Sequence, residues 1–339
     1  MLVTGTADIP DAIGRRYIRR VLYQTQPWLI FYLFAQKTDF TTGAGDTVKW
    51  RRILDLDSTE RTIAEAITPP GQTLRKSDVL MVVQWYGDFV LHSDKVKYET
   101  SDPIMKISQR VLGDQAGKIL DKVIRNAIIA GTNVMYIADD SGTEGAATAN
   151  VAGRVSNTAL DRAIREMRQN HFRPWKRSIR ASAKEGTHPV RDSWPMIVDA
   201  EILFDMEQRI VGYKDQSEYP TDQRLHASEQ GVYKNLRLFL TGQGYVDEGA
   251  GAALPAGIET DATGTNCNVH YGLIVSQDAY GAVRLGGEDA PFELIIHPLG
   301  SAGSADPLNQ RGSVAWKAPQ GAKILDDLGI LRLEVAVSA

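Results

Sequence analysis

An α+β fold is predicted by three features of the 339-residue chain. One long stretch, residues 103–130, carries apolar residues at helical spacing. Strand-like runs lie on both sides of it. The helices and strands follow no βαβ rhythm, so a doubly wound parallel sheet is not expected.

The elements follow in order. Arg15, Arg16, Arg19 and Arg20 share a short amphipathic stretch with Tyr17, Val21 and Gln24, ahead of the aromatic run Trp28–Ala35. A small-residue turn, Thr41–Asp46, leads into a strand over Thr47–Leu54. Its expected partner is Val79–Tyr86, continuing through Asp88–Leu91. Between them Asp55–Asp78 contains Thr68-Pro69-Pro70-Gly71, which cannot be a strand interior. Two strands with so long an excursion make an extended β-arm, and loops of that length usually have a function.

Ser101 is a good N-cap for the helix Pro103–Ala130, with Gly131 closing it. Ile104, Ile107, Val111, Leu112, Ile119, Leu120, Val123, Ile124, Ala127 and Ile128 form its apolar face; Asp114, Lys118, Asp121, Lys122 and Arg125 take the other. A second helix is capped by Ser156 or Asn157, with Leu160, Ile164 and Met167 inward. Trp194–Val198 reads as a buried strand feeding a helix over Ala200–Val211. Loop-rich stretches follow at Gly212–Gly231 and Gly242–Thr265, then strands at Tyr271–Val275, Phe292–Ile296, Ser313–Lys317 and Leu331–Val337.

Composition limits the function. Hydrophobic residues at 43% exclude a disordered chain. With 38 Lys+Arg against 42 Asp+Glu, the net charge of −4 argues against dedicated nucleic-acid binding, which calls for a basic surface. Cys267 is the only cysteine, so no internal disulfide or cysteine-rich zinc site can form, and a reducing cytosol fits. The start of the chain lacks a signal-peptide pattern, and the eight-residue apolar run Trp28–Ala35 falls short of the roughly 20 residues of a membrane helix.

Motifs for catalysis are missing. Gly242-Gln243-Gly244-Tyr245-Val246-Asp247 lacks the third glycine of a dinucleotide loop, Gly43-Ala44-Gly45 precedes a strand instead of a helix, and no Gly-Lys-Ser/Thr occurs. The six histidines have no helical ligand spacing, and no Gly-x-Ser-x-Gly elbow is present. The acidic pairs Asp55/Asp57, Asp139/Asp140, Glu288/Asp289 and Asp326/Asp327 read as solvated turns. Arg173-Pro174-Trp175-Lys176-Arg177 could grip phosphates, but with this net charge it reads as a solvated or inter-subunit loop. No catalytic, cofactor-binding or metal-ligating residue is predicted. Two alternatives stay open: an α+β enzyme whose carboxylates converge only in space, and a sheath or surface-layer polymer.

Three segments, in order, carry a resemblance: Gly43-Ala44-Gly45-Asp46-Thr47-Val48-Lys49-Trp50-Arg51-Arg52; Glu65-Ala66-Ile67-Thr68-Pro69; and Asp306-Pro307-Leu308-Asn309-Gln310-Arg311-Gly312-Ser313-Val314-Ala315-Trp316-Lys317 followed by Gly321-Ala322-Lys323-Ile324-Leu325. Over nearly its whole length the chain resembles the major capsid proteins of tailed bacteriophages, most closely the N-four-type (podovirus) family. The resemblance implies the Hong-Kong-ninety-seven-type capsid fold: an N-terminal arm (1–45), an extended β-arm or E-loop (46–100), a peripheral domain with the spine helix (101–155), an axial domain (156–285), and a C-terminal return to the peripheral domain (286–339). It further implies self-assembly into hexamers and pentamers of an icosahedral head around double-stranded DNA held without sequence specificity. A scaffolding protein, a portal and a decoration or cement protein are the other implied partners; no cofactor and no membrane is. The head would be assembled in the bacterial cytoplasm. Because interfaces favour aromatic residues and arginine, Tyr17, Trp28, Phe31, Trp50, Arg51, Arg52, Trp85, Tyr86, Arg173 and Trp175 are the expected inter-subunit contacts.

Overall fold

The computed structural model describes residues 30–40, 45–54, 56–60, 62, 71–95, 104–175, 192–219, 228–253, 257–285, 292–301 and 307–339. Tyr17, Trp28 and the Ser101 cap lie outside them.

The long helix α2 (Ile104–Ile128), preceded by the short α1 (Ile30–Leu33), organises the molecule. Its 25 residues span about 38 Å at 1.5 Å each. Its first half packs Leu112, Ala116 and Leu120 against a three-stranded antiparallel sheet, in which β14 (Arg311–Gln320) lies between β13 (Glu293–His297) and β4 (Gln84–Ser93). Phe292, Leu294, Val314, Trp316 and Ala318 supply the sheet side of that core. Its second half packs Ile124 and Ile128 on a different, larger sheet.

That larger sheet has eight strands. Its path runs β5 (Val134–Tyr136), β16 (Ile330–Val335), β11 (Val269–Val275), β6 (Trp194–Val198), β9 (Leu236–Leu240), β8 (Glu229–Tyr233), β7 (Lys214–Asp215), with β10 (Val246–Asp247) against β11. All five residues of β6 are buried, because both faces of the sheet are covered. One face packs Met196, Leu238, Ile274 and Leu333 under α3 (Asn157–Gln169) and α4 (Ala200–Arg209). The other packs Ile197, Phe239, Leu273 and Val275 under α1 and the end of α2. Ser156 caps α3 and Asp199 caps α4, each side chain accepting an N–H from the first turn.

Several expectations need correction. Gln84–Leu91 does not stay with Thr47–Leu54. The pairing partner changes at Val83, whose N–H reaches back to Asp46 O. Before it, β3 (Lys76–Val82) pairs with β2 (Thr47–Ile53); after it, β4 pairs with β14 in an unbroken ten-residue register. The segment after 286 divides: β13 and β14 join the helix-backed sheet, whereas β16 enters the eight-stranded sheet. Gly131 is not a left-handed cap. It leaves room for Asp327, whose carboxylate accepts the Thr132 N–H at 3.0 Å, while the Arg332 guanidinium donates to Ile129 O at the helix end.

The region assigned to an N-terminal arm is, from residue 30 on, part of the subunit itself. Ile30, Phe31, Phe34 and Ala35 are buried, and β1 (Gln36–Phe40) runs parallel to β12 (Tyr280–Leu285), which also pairs with β15 (Ala322–Ile324). Two polar contacts hold the segment: Phe31 N–H donates to Asp121 Oδ1 at 2.9 Å, and the Tyr280 hydroxyl donates to Phe31 O. Asp121 and Arg125 therefore face inward, not to solvent. Arg125 donates to the carbonyls of Gln243 and Gly244, both at 2.8 Å.

Burial pushes the Asp121 carboxyl up from 3.8 to about 7, against the Phe31 N–H and Arg125. Below about pH 4 folded and unfolded chains both carry this proton. As pH rises from there, only the unfolded chain releases it, so stability falls by an amount on the order of 4 kcal/mol until the folded carboxyl ionises near 7. Asp121→Asn keeps an acceptor for Phe31 and cannot ionise. It is expected to flatten this part of the profile when urea midpoints are measured from pH 4 to 8.

Candidate inter-subunit surface

The ribbon β2–β3 has two unlike faces. Val48, Trp50 and Met81 point in and pack with Val283 of β12. Trp50 lies so close over Gly281 that a Cβ there would stand 2.6 Å from the indole. On the outer face, register pairs set Thr47 beside Val82, Lys49 beside Leu80, Arg51 beside Asp78 and Ile53 beside Lys76. Leu80, Val82 and Ile53 are exposed there, as are Leu54, Leu56 and Leu74 further out. Lys49 and Arg51 reach Asp78 at 2.6 and 3.3 Å; the Lys49 contact leads in holding its carboxyl below the usual range.

β4 alternates too. Tyr86, Asp88 and Val90 turn toward α2, and Asp88 accepts from the Gln115 amide at 2.6 Å. Trp85, Phe89 and Leu91 turn away and keep 58%, 60% and 60% of their surface exposed. On α2 itself Ile107 and Val111, expected on the inner face, are 48% and 58% exposed. Apolar surface is thus concentrated on the ribbon, on β4 and on the flank of the helix. Single exposed apolar residues are ordinary, but contiguous ones mark interaction surfaces.

The expected contact residues separate into groups. Phe31 and Trp50 are buried in their own subunit, because the largest apolar side chains also fill a core best, so they are corrected from interface to core. Arg51 and Arg52 are exposed, Arg52 pairing with Asp326 at 2.9 Å. Trp85 is exposed and meets Phe40 edge-on at 6.2 Å. Tyr86 is half-buried against the α2 core. Trp175 is half-buried, its ring edge-on to Phe34 at 5.5 Å. Arg173 is exposed and lines, with Lys49, Arg51, Arg52 and His171, a cavity of about 730 Å³ at the foot of the ribbon. Asp78 and Asp326 already partner three of those cations, so the cavity is not a strong anion site. Leu80, Val82, Phe89, Leu91, Ile107 and Val111 were missed. The sequence signal for one part was there: Phe89-Val90-Leu91 is apolar on both faces of a strand, which a half-buried strand has no use for.

Chemistry elsewhere is structural. Among the described residues no group of three His, Cys, Asp or Glu side chains could hold a metal ion, and no helix is long and apolar enough to cross a membrane. One buried charged cluster joins the loop 257–268 to the large sheet. His270 Nδ1 lies 2.5 Å from Asp199 Oδ2, and Nε2 lies 3.5 Å from Glu259 Oε2. Burial works to lower the imidazole, but Asp199 and Glu259 outweigh it and raise its pKa above 6.5. The stabilisation is complete below the unfolded value near 6.5 and is lost as pH rises through the higher folded value. Thermal midpoints at pH 6 and pH 9 should therefore differ less in Asp199→Asn, which retains an oxygen to cap α4, than in the unaltered protein.

No protein-family model and no curated protein matches the chain. Solved structures do match. The capsid of Ralstonia phage GP4 aligns with a TM-score of 0.67 at 11% identity, covering 90% of this chain and 88% of that one. The head structure of Helicobacter pylori bacteriophage KHP40 gives 0.60 at 12%, covering 89% and 87%. The capsid of the cyanophage P-SCSP1u gives 0.57 at 14%, covering 91% and 89%. The chain has the phage-capsid fold over nearly its entire length.

Proposed function

We propose that this protein is the major capsid protein of a tailed bacteriophage, building hexamers and pentamers of an icosahedral head that encloses double-stranded DNA. The observation that carries the reading is the placement of exposed apolar residues on a projecting ribbon and an edge strand, within a fold shared with capsid subunits. A lone enzyme of this fold would have no use for a ribbon with bare leucines; a shell subunit buries them between copies. Many modest contacts then add up to closure. In this reading the ribbon is the extended arm, α2 with β4, β13 and β14 forms the peripheral domain, and the eight-stranded sheet with α3 and α4 forms the axial domain. The net charge of −4 suits a container that holds DNA without gripping it. Scaffolding, portal and decoration proteins are partners in the same proposal, as are a place in the virion and assembly in the bacterial cytoplasm.

Negative-stain electron microscopy of the purified protein, alone and with a co-expressed scaffold, tests this. Closed shells are the expected product. Tubes or flat arrays would favour a sheath or surface layer, and monodisperse particles under every condition would overturn the assembly reading.

A further inference from the structure

We infer that the free edge of β4 is completed in the assembled shell by a strand from a second copy of this chain, residues Ile53–Leu56 at the outer end of that copy's ribbon. The inference rests on the shell reading and specifies one of its contacts.

Three observations define the vacancy. First, β4 is the last strand of its sheet, and no strand among the described residues pairs with its outer side. It has none of the usual protections of an edge: ten residues long, no proline, no lysine, no bulge in its register, and one carboxylate, Asp88, turned to Gln115. Second, the sheet is one strand too narrow for its helix. Gln115 marks the side of α2 that faces β4; Val111 stands one turn before it and Ile107 another, both exposed, and Val90 on the facing side of β4 is exposed with them. Third, the opposite face of β4 presents Trp85, Phe89 and Leu91.

A strand added there meets apolar surface on both faces, so it must be apolar on both faces itself. Ile53, Leu54 and Leu56 supply that pattern and are all exposed. The strand register ends at the Ile53–Lys76 pair, and the Leu54 N–H to Arg75 O bond at 2.9 Å is the last backbone pairing of the outgoing chain among the described residues. Beyond it the chain is extended and available for strand addition. Donor and acceptor are different surfaces of the same chain. Such pairing repeats head to tail around a ring, which is the arrangement hexamers and pentamers require.

Hydrogen exchange resolved to single amides, on unassembled subunits and on shells made from the same purified protein, reads this directly. In subunits the β4 amides facing β14 should be slow and the alternate, outward ones fast. In shells the outward ones should slow by at least tenfold, and Leu56→Pro should abolish that gain while Leu56→Ala keeps it. Slow outward amides already present in the free subunit would mean that its own chain covers the edge. Fast ones in shells would mean that nothing pairs there. Either result overturns strand addition while leaving shell assembly intact, whereas failure of the unaltered protein to form shells overturns both. If Leu56→Pro does not assemble, Leu56→Cys and Phe89→Cys subunits mixed before assembly decide: oxidation to a mixed disulfide dimer supports the pairing, and its absence rejects it.

Discussion

Leu120→Asp is expected to leave little or no folded subunit. Leu120 is fully buried between the spine helix and the sheet that carries Trp316 and Val314, so the new carboxylate has neither water nor a partner. Stranding an unpaired charge in such a core costs several kcal/mol, out of a total stability of about 5–15 kcal/mol. The next residue, Asp121, already needs a dedicated N–H donor to be accommodated. Soluble yield and far-ultraviolet circular dichroism give the readout. Ile119→Asp, at a half-buried position, should be milder, and Val111→Asp should change subunit stability by no more than about 0.5 kcal/mol. A Leu120→Asp protein as stable as Val111→Asp would place the buried face of α2 elsewhere.

The second large effect is on assembly. Replacing residues 56–73 with an Asn-Gly turn keeps the Leu54–Arg75 pairing and shortens the ribbon to a tight hairpin. The thermal midpoint of the subunit should stay within a few degrees, because the buried side chains of the ribbon, Val48, Trp50 and Met81, lie below the cut. Closed particles should vanish from electron micrographs. Shells of normal size and stability from this variant would remove the outer ribbon from the list of assembly elements.

These variants also show where sequence reasoning stops. The spine helix was legible because its periodicity is long and local, and so were the buried strand β6 and the caps of α3 and α4. Its facing was legible only in part. Asp121 and Arg125 look like solvent-side residues until their partners, the Phe31 N–H and the carbonyls of Gln243 and Gly244, arrive from positions about 90 and 118 residues away. Val111 and Ile107 fit an apolar stripe, and only the width of the opposing sheet leaves them uncovered. The switch of partner at Val83 depends on β14, more than 220 residues later, and nothing in the local pattern signals it. For the surface, the rule that interfaces collect aromatics and arginine picked Trp85 and Arg51 usefully. It failed for Phe31 and Trp50, because the same bulk that strengthens an interface fills a core.

The pairing of distant segments has a consequence for synthesis. β1 closes on β12, β4 on β14 and β5 on β16, so three strands from the first 136 residues wait for partners that begin at residue 280. Gln36 and its partner Gly281 are 245 residues apart. At about 5–20 residues per second, a ribosome needs on the order of 10–50 seconds to bridge that interval. During it the spine helix has no sheet to lie on, and β4 has no neighbour on either side. Crowded polysomes would be the worst place for an apolar edge to be competent. Because β14 is among the last strands made, β4 becomes a defined docking edge only as the chain nears completion, and the timing of translation itself keeps unfinished subunits out of growing shells.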